Sequence, residues 1–410
     1  MICMLKMGNK SIYVLAVIFT LCTCIDPYSP KLKGYDSILV VNGLITDENT
    51  ACTLTLSKTL QDQNAIPVMI SDASAYITDE NGNSSYFRNM GGGIYKTDSV
   101  TFRGFIGRSY TLHITTHDGN EYQSTPCTMY PVPDIDSVYF AKDVETVNNG
   151  TESQTGLMIY LDSKPGDNNV FYRWSFEETW KFKVPFPKRF NYIDSAHIIR
   201  IDNVHEVCWK TNKSGDILIK SVYPGQNQRI EKEPILFIAS DKSDRLMLEY
   251  SILVKQYSLS KDEFNFWDNL KKVNETGGDI FASQPFEVVS NIHNISNPAE
   301  KVLGYFQVSA AKQKRKYILF TDMVNLQLPF FHYDCMSIAR GPQDYPATDP
   351  PWTFDVVYNG FPPASGYIFV EPIIDPATNM LERLVFSTPE CANCELTGSS
   401  TKPDFWIDFN

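Results

Sequence analysis

The sequence predicts a mainly β protein with two β-sandwich domains, of which the second is larger and has a helical insertion. Apolar and polar residues alternate in segments such as Cys52–Ser57 and Arg108–Thr115, as is typical of half-buried strands. Turn signals recur at roughly ten-residue intervals, a spacing typical of antiparallel sandwiches. The length of 410 residues exceeds that of one ordinary sandwich and indicates two domains.

Residues 1–23 have the properties of a signal peptide. Two lysines precede an uncharged apolar segment at 11–24, which is shorter than the roughly 20 residues that a membrane-spanning helix needs. The segment ends in Leu21-Cys22-Thr23-Cys24, which resembles the lipobox of bacterial lipoproteins. We predict cleavage before Cys24, lipid attachment to this cysteine and a lipid-anchored tether over 24–36. An ordinary secretory signal cleaved nearby and an uncut N-terminal anchor are the alternatives.

Residues 37–132 are predicted to form the N-terminal sandwich. Strand-like segments at Ile38–Val41 and Ala75–Thr78 alternate with turns. Asn81-Gly82 is a strong hairpin signal, and the triple glycine at 91–93 is interpreted as a second turn. The order of these elements resembles the prealbumin-like and immunoglobulin-like sandwich modules.

Residues 136–410 are predicted to form the larger sandwich, with one helix near 261–274. Ser260 and Glu263 have the spacing of a capping box, and Phe264, Trp267 and Leu270 give the helix one apolar stripe. The segments predicted as strands are Asp136–Phe140, Leu157–Leu161, Val170–Phe176, Ile217–Val222, Leu236–Ala239, Tyr250–Lys255, Val302–Val308, Tyr317–Phe320, Phe354–Tyr358, Gly366–Val370 and Leu384–Ser387.

The charge balance argues against two classes of partner. The net charge is −12, so the chain has no electrostatic reason to bind nucleic acid or anionic lipid headgroups. Attachment to a membrane is therefore expected to come from the lipid anchor alone.

Six cysteines remain once the signal peptide and the lipid-bearing Cys24 are set aside. An even number in an exported chain favours disulfides, but six cysteines allow 15 pairings. A Cys391-x-x-Cys394 motif near the C-terminus could also form a redox site, or half of a zinc site completed by Cys208 and Cys335. We favour disulfides that link the C-terminal tail to the loops bearing Cys208 and Cys335. The disulfide candidates are Cys52, Cys127, Cys208, Cys335, Cys391 and Cys394.

A segment from Trp174 to Tyr192 combines aromatic and basic residues in an otherwise acidic chain. Aromatic and arginine side chains are enriched at protein interfaces, and aromatic rings also stack on sugars. The alternative is that the tryptophans belong to the core and that the loop packs on the helix. The residues predicted to bind a ligand or partner are Trp180, Phe186, Arg189, Phe190 and Tyr192.

Motifs typical of catalysis are missing from the sequence. It has no His-Glu-x-x-His pair, no Gly-x-Ser-x-Gly nucleophile turn and no glycine-rich phosphate loop after a strand. The Asp79–Asn83 cluster has too few oxygen ligands for a calcium loop and is interpreted as a hairpin turn. We therefore predict no catalytic residue, no metal, no cofactor and no enzymatic activity.

Several longer motifs resemble one family. They are Glu177–Trp180, Cys208 after a short apolar segment, Tyr250–Ser260 followed by Phe266-Trp267, Pro298–Phe306, and the ending from Cys391 to Trp406. Their order is similar to that of the domain-of-unknown-function 4249 family over nearly the whole mature chain. The resemblance implies a Bacteroidetes lipoprotein, often encoded beside a TonB-dependent outer-membrane transporter.

These observations together predict an outer-membrane lipoprotein that faces the cell surface. Its expected role is a non-enzymatic accessory to a TonB-dependent nutrient transporter, either by ligand capture or by docking on the transporter. A free-standing lipoprotein that binds a glycan or a peptide is the alternative. A hydrolase whose residues cannot be paired from sequence is a third possibility.

Overall fold

The computed structural model describes residues 37–59, 66–99, 102–147, 150–164, 166, 170–222, 229–276, 288–348 and 350–409. The predicted signal peptide, Cys24 and the tether over 24–36 lie outside the described residues. Within the described ranges, no helix combines the length and the apolarity needed to cross a bilayer.

The described residues are mainly β, as predicted, and contain 25 strands. The strands before residue 132 are β1 (Leu39–Ile45), β2 (Thr53–Lys58), β3 (Val68–Met69), β4 (Ser74–Asp79), β5 (Ser84–Tyr86), β6 (Arg88–Asn89), β7 (Ile94–Lys96), β8 (Ser109–Thr115), β9 (Glu121–Ser124) and β10 (Cys127–Thr128). The later strands are β11 (Ile135–Val147), β12 (Glu152–Ser163), β13 (Phe171–Lys183), β14 (Phe190–Asp194), β15 (His197–Arg200), β16 (Val207–Lys213), β17 (Leu218–Ser221), β18 (Ile230–Ala239), β19 (Glu249–Ser258), β20 (Ile292–Asn294), β21 (Leu303–Val308), β22 (Ala311–Leu319), β23 (Ser337–Arg340), β24 (Ile368–Ile374) and β25 (Leu381–Ser387).

The α-helices are α1 (Lys261–Thr276), α2 (Phe320–Asn325), α3 (Phe354–Ser365) and α4 (Pro389–Ala392). Helix α1 is the predicted helix, and the Glu263 N–H donates to Ser260 Oγ at 3.1 Å, as a cap should. The prediction of a strand at Phe354–Tyr358 is wrong, because this segment begins α3. Val357, Tyr358 and Phe361 all pack in one apolar cluster, and their spacing is helical.

Two six-stranded sheets form the N-terminal sandwich. The strand order is β21–β1–β2–β7–β6 in one sheet and β20–β9–β8–β4–β5 in the other, with β3 beside β2 and β10 beside β8. Val41 and Leu54 from the first sheet and Leu112 from the second are fully buried in one shared core. The alternating segments of the sequence therefore form the predicted sandwich, and Asn81-Gly82 lies in the β4–β5 hairpin as expected.

Two strands of this sandwich come from much later in the chain. Strand β21 runs parallel to β1, from Val40 opposite Leu303 to Ile45 opposite Val308, and β20 pairs with β9. The predicted division assigned all of 136–410 to the second domain. The structure instead places residues 292–308 in the N-terminal sandwich, because β1 and β9 hydrogen-bond to them.

The larger sandwich packs a three-stranded sheet, β11–β12–β18, against a five-stranded sheet, β16–β13–β19–β22 with β17 beside β13. One apolar core joins the two sheets. Trp174 is 1% exposed in this core, and its indole N–H donates to Gln256 Oε1 at 2.9 Å. The interpretation of Trp174 as a core residue is confirmed.

The structure has a third, smaller layer that was not predicted from the sequence. It contains the sheet β23–β25–β24, the hairpin β14–β15 and helix α3. These elements share a small apolar cluster around Tyr192, Val357 and Phe386.

Helix α1 places a buried carboxyl group between the two sandwiches. Glu263 is 3% exposed, and burial raises its pKa to about 8 despite the nearby Arg173 guanidinium. That guanidinium lies 4.0 Å from the centroid of a Trp267 ring and donates to Gln307 Oε1 at 2.8 Å. Glu263 is therefore mostly protonated in the folded protein at neutral pH.

We expect this carboxyl to make the stability pH-dependent. Between its ordinary pKa of 4.5 and a folded-state pKa of about 8, Glu263 is ionised in the unfolded chain and protonated in the fold. Unfolding then releases a proton, so its contribution to the free energy of unfolding falls as pH rises through this window. Because glutamine does not titrate, Glu263→Gln should abolish this pH-dependent fall, which amounts to a few kcal/mol in the free energy of unfolding. Urea unfolding of both proteins at pH 5 and pH 8 measures the difference, and identical pH dependence would contradict it.

Gly304 permits the parallel pairing of β1 with β21. Its φ is +88°, and a Cβ there would overlap the carbonyl group of Val41. Gly304→Ala should lower the free energy of unfolding by about 3 kcal/mol, since strain and backbone overlap add. Gly119 is the matched control: its φ is +82° but no atom lies within 4 Å of a Cβ, so Gly119→Ala should cost only about 1 kcal/mol. Denaturant titration of both variants measures the two losses. Equal losses of unfolding free energy would show that the close approach of Gly304 to Val41 is not what requires glycine there.

Candidate functional site

The five residues predicted to bind a ligand or partner do not form one exposed surface. Trp180 is 8% exposed and Tyr192 is 7% exposed, and both polar groups are used internally. The Trp180 indole N–H donates to Asp244 Oδ1 at 2.9 Å, and the Tyr192 hydroxyl donates to Asp355 Oδ1 at 2.6 Å. Phe190 packs in the small apolar cluster of the third layer.

The rest of that loop is held against the C-terminal part of the chain. The Phe186 N–H donates to Cys391 O, and the Arg189 N–H donates to Val370 O, both at 3.0 Å. The Arg189 side chain pairs with Glu206 at 3.0 Å. The alternative interpretation, a loop that packs on the protein, therefore describes the structure better, although the loop contacts the third layer rather than helix α1.

Two disulfides link the C-terminal tail to the rest of the chain. Cys208 bonds to Cys394, and Cys335 bonds to Cys391, as predicted for these four residues. The prediction of disulfides at Cys52 and Cys127 is wrong, because both are free thiols. Cys52 immediately precedes β2 and its N–H donates to Thr97 Oγ1 at 2.9 Å, whereas Cys127 lies in the opposite sheet. The Cys127 thiol instead donates to Phe306 O at 3.5 Å and accepts from Asn291 Nδ2 at 3.1 Å.

The two alternatives for the Cys391-x-x-Cys394 motif are excluded by these pairs. A redox motif needs its two cysteines to bond to each other, and a zinc site needs free thiolates. Among the described residues, no group of three or more His, Cys, Asp or Glu side chains is placed to hold a metal ion.

The Cys208–Cys394 bond holds the tail along the edge strand β16. Trp209 and Ser399 exchange two backbone hydrogen bonds of 2.9 Å each. The approach is close enough that a Cβ on Gly398 would lie 2.6 Å from the Phe182 ring and 2.8 Å from Trp209 O. The tail thereby forms one wall of a shallow groove beside the strand.

We call this feature the tryptophan groove. Its volume is about 620 Å³, within the range of small-molecule sites. It is lined by Trp180, Trp209, Lys210, Asn212, Arg245 and Ser399, among others.

A buried carboxylate lies behind one side of the groove. Glu178 is 1% exposed, and its carboxylate accepts from the Tyr250 hydroxyl at 2.7 Å and from Asn212 Nδ2 at 3.0 Å. Arg245 completes the arrangement at 3.2 Å. Burial, followed by the Glu178 charge, raises the pKa of Tyr250, so this hydroxyl remains a donor.

A second carboxylate lies behind the other side. Asp244, in a 3-10 turn at Asp244–Leu246, accepts from Lys210 Nζ at 2.7 Å, from the Trp180 indole at 2.9 Å and from the Tyr333 hydroxyl at 3.1 Å. Burial and the Asp244 charge raise the pKa of Tyr333. Neither carboxylate is therefore free to act as a general base.

The two ion pairs have the same orientation relative to solvent. Side-chain exposure is 24% for Lys210 against 9% for Asp244, and 28% for Arg245 against 1% for Glu178. The cationic side chains line the groove, whereas the two carboxylates are more deeply buried and are not among its lining residues. A ligand in the groove would thus meet positively charged hydrogen-bond donors although each pair is neutral as a whole.

Trp209 supplies the partly exposed aromatic wall. Its ring packs edge-on against Trp406 with centroids 6.2 Å apart, and its buried indole N–H has no hydrogen-bond partner among the described residues. Packing and the backbone bridge to Ser399 therefore position this ring. Of the groove residues, only Trp180 was predicted from the sequence to bind a ligand; the position of Trp209 next to Cys208 was the one sequence signal for the others.

A larger cleft of about 1050 Å³ lies at one end of the N-terminal sandwich. Its acidic groups are bonded to neighbouring loops: Glu300 accepts from the Tyr122 hydroxyl and from Asn294 Nδ2, and Asp118 accepts from Thr116 and Asn120. Lys58, His117 and Lys301 also line this cleft, but its lining residues include no tryptophan. The tryptophan groove is therefore the stronger candidate.

The fold and the groove define a protein of two β-sandwiches with a groove at a disulfide-linked sheet edge. Residues 25–315 match the family described as domain of unknown function DUF4249, and the chain belongs to this family. The match ends before the segment from Cys391 to Trp406, which the sequence analysis had associated with the same family. No significant match was found among curated proteins.

Loss of the Cys208–Cys394 bond should destabilise the protein and open the groove. The bond closes a separation of 186 residues, so Cys208→Ala combined with Cys394→Ala should lower the free energy of unfolding by about 2–5 kcal/mol. Denaturant titration measures the loss.

Peptide mapping without reductant should recover the two disulfides described, with Cys52 and Cys127 alkylated after unfolding. A Cys391–Cys394 pair would refute the assignment.

Proposed function

We propose that this protein is a lipid-anchored accessory to a TonB-dependent outer-membrane transporter and that it captures ligand in the tryptophan groove. The observation that supports capture is the groove itself, which is lined by a partly exposed aromatic ring and two partly exposed cationic side chains. Membership of the DUF4249 family and the lipobox-like motif ending at Cys24 support the location at the membrane surface.

The bonding of the groove favours binding over catalysis. Glu178 and Asp244 are each held by three partners, so neither offers the accessible acid or base that hydrolysis requires. A binding site, in contrast, needs rigid donors and an aromatic surface that are already in place before the ligand arrives. The network behind the groove provides that rigidity.

Affinity purification from detergent-solubilised membranes tests the proposal. The tagged full-length chain should recover a TonB-dependent transporter in roughly equal amount, identified by mass spectrometry. Cys24→Ala is the control, since it should move the chain out of the membrane fraction if acyl chains provide the attachment. Recovery of the wild-type lipoprotein without a transporter would favour a free-standing binding protein, and membrane retention of Cys24→Ala would contradict lipid anchoring at this residue.

A further inference from the structure

We propose that the tryptophan groove binds a carboxylate-bearing sugar, such as a residue of an acidic oligosaccharide. This inference rests on the proposed function, because it names the ligand that the groove would capture. Three features of the described residues support it: the partly exposed aromatic wall, the two ion pairs whose carboxylates are the more buried partners, and the occupation of those carboxylates by other donors.

The aromatic wall favours a ring-shaped ligand. Trp209 lines the groove and is held in place by Trp406 and by the Ser399 bridge. A fixed indole surface offers a flat apolar area to the C–H face of a pyranose without a large loss of side-chain entropy. Lysine and arginine beside the ring can then reach the polar substituents at the sugar edge.

The direction of the ion pairs favours a negative ligand. Lys210 and Arg245 are each held from behind by a buried carboxylate, so their remaining N–H groups are oriented before a ligand binds. Hydrogen bonds from such groups to a carboxylate are stronger than those to a neutral hydroxyl. A carboxylate also avoids the repulsion that it would meet elsewhere on a chain of net charge −12.

The two carboxylates behind the groove are already occupied. The oxygens of Glu178 and Asp244 accept bonds from Tyr250, Tyr333 and other side chains of the protein. A ligand rich in donors, such as a lysine-containing peptide, would find few free acceptors in these two side chains. A ligand rich in acceptor oxygens fits the groove better.

Calorimetric titration of the full-length protein with trigalacturonate, a glucuronate-containing disaccharide and an acidic peptide tests this inference. The methyl ester of trigalacturonate is the matched ligand, because it keeps the rings and removes the charge. We expect an acidic sugar to bind, the ester of trigalacturonate to bind at least about tenfold more weakly than the acid, and added salt to weaken the binding of the acid.

Trp209→Ala should weaken binding of the acidic sugar by about tenfold or more, and Trp209→Phe should restore most of it. Tyr86→Ala, which removes an exposed aromatic residue of the N-terminal sandwich, is the control and should bind as the wild type does. Thermal unfolding of each variant identifies any loss of fold, and rescue by phenylalanine separates ring contact from destabilisation.

Each other outcome overturns the inference in a recognisable way. Equal binding of the acid and the ester, lost in Trp209→Ala, would leave ligand capture intact but remove the carboxylate requirement. Binding of the acidic peptide alone would change the class of ligand. Binding of none of these probes would refute the inference; the transporter purification, which does not depend on the ligand, then decides separately on the accessory role.

Discussion

The pairing of β1 with β21 is the constraint on which the arrangement of the molecule depends. It makes residues 303–308 part of the N-terminal sandwich, so the chain must leave that sandwich, form every strand of the larger one except β22 and return. Helix α1 lies on the return path and places Glu263 at the junction. Because a parallel pair cannot be closed by a short turn, the larger sandwich serves as the connection.

Two buried carboxylates, in turn, determine the character of the groove. Removing a charge from water costs several kcal/mol unless hydrogen bonds and an opposite charge replace the solvent. Glu178 and Asp244 have both kinds of partner. Their partners come from β13, β16, β19, the 3-10 turn at Asp244–Leu246 and the segment around Tyr333. The same bonds that offset desolvation therefore also fix Lys210 and Arg245 beside the groove.

The alternation of apolar and polar residues along the chain predicted the secondary-structure elements that depend on local sequence. The strands of the two sandwiches, the hairpin at Asn81-Gly82 and the helix after Ser260 follow from side-chain period and turn chemistry. The strand predicted at Phe354–Tyr358 was wrong because a pattern of only five residues fits a strand as well as it fits one and a half turns of helix. A pairing such as β1 with β21 could not be inferred, since the two segments are separated by more than 250 residues and no local pattern indicates the partner.

The site was harder to predict than the fold. Trp180 was singled out for its surroundings in sequence, but its partner Asp244 lies 64 residues away in a polar loop with no recognisable motif. Lys210 and Arg245 are ordinary surface-type residues until the fold brings carboxylates behind them. The predicted disulfide between the C-terminal tail and Cys208 was the only sign in the sequence that Trp209 would lie beside that tail.

The disulfide connectivity has a consequence for how the thiols must be oxidised. If the cysteines after Cys24 paired two by two in order of synthesis, the bonds would be Cys52–Cys127, Cys208–Cys335 and Cys391–Cys394, none of which is native. Both correct bonds await the last 20 or so residues of the chain. Oxidative maturation of this protein therefore requires either delayed oxidation or catalysed exchange between wrongly joined sulfurs.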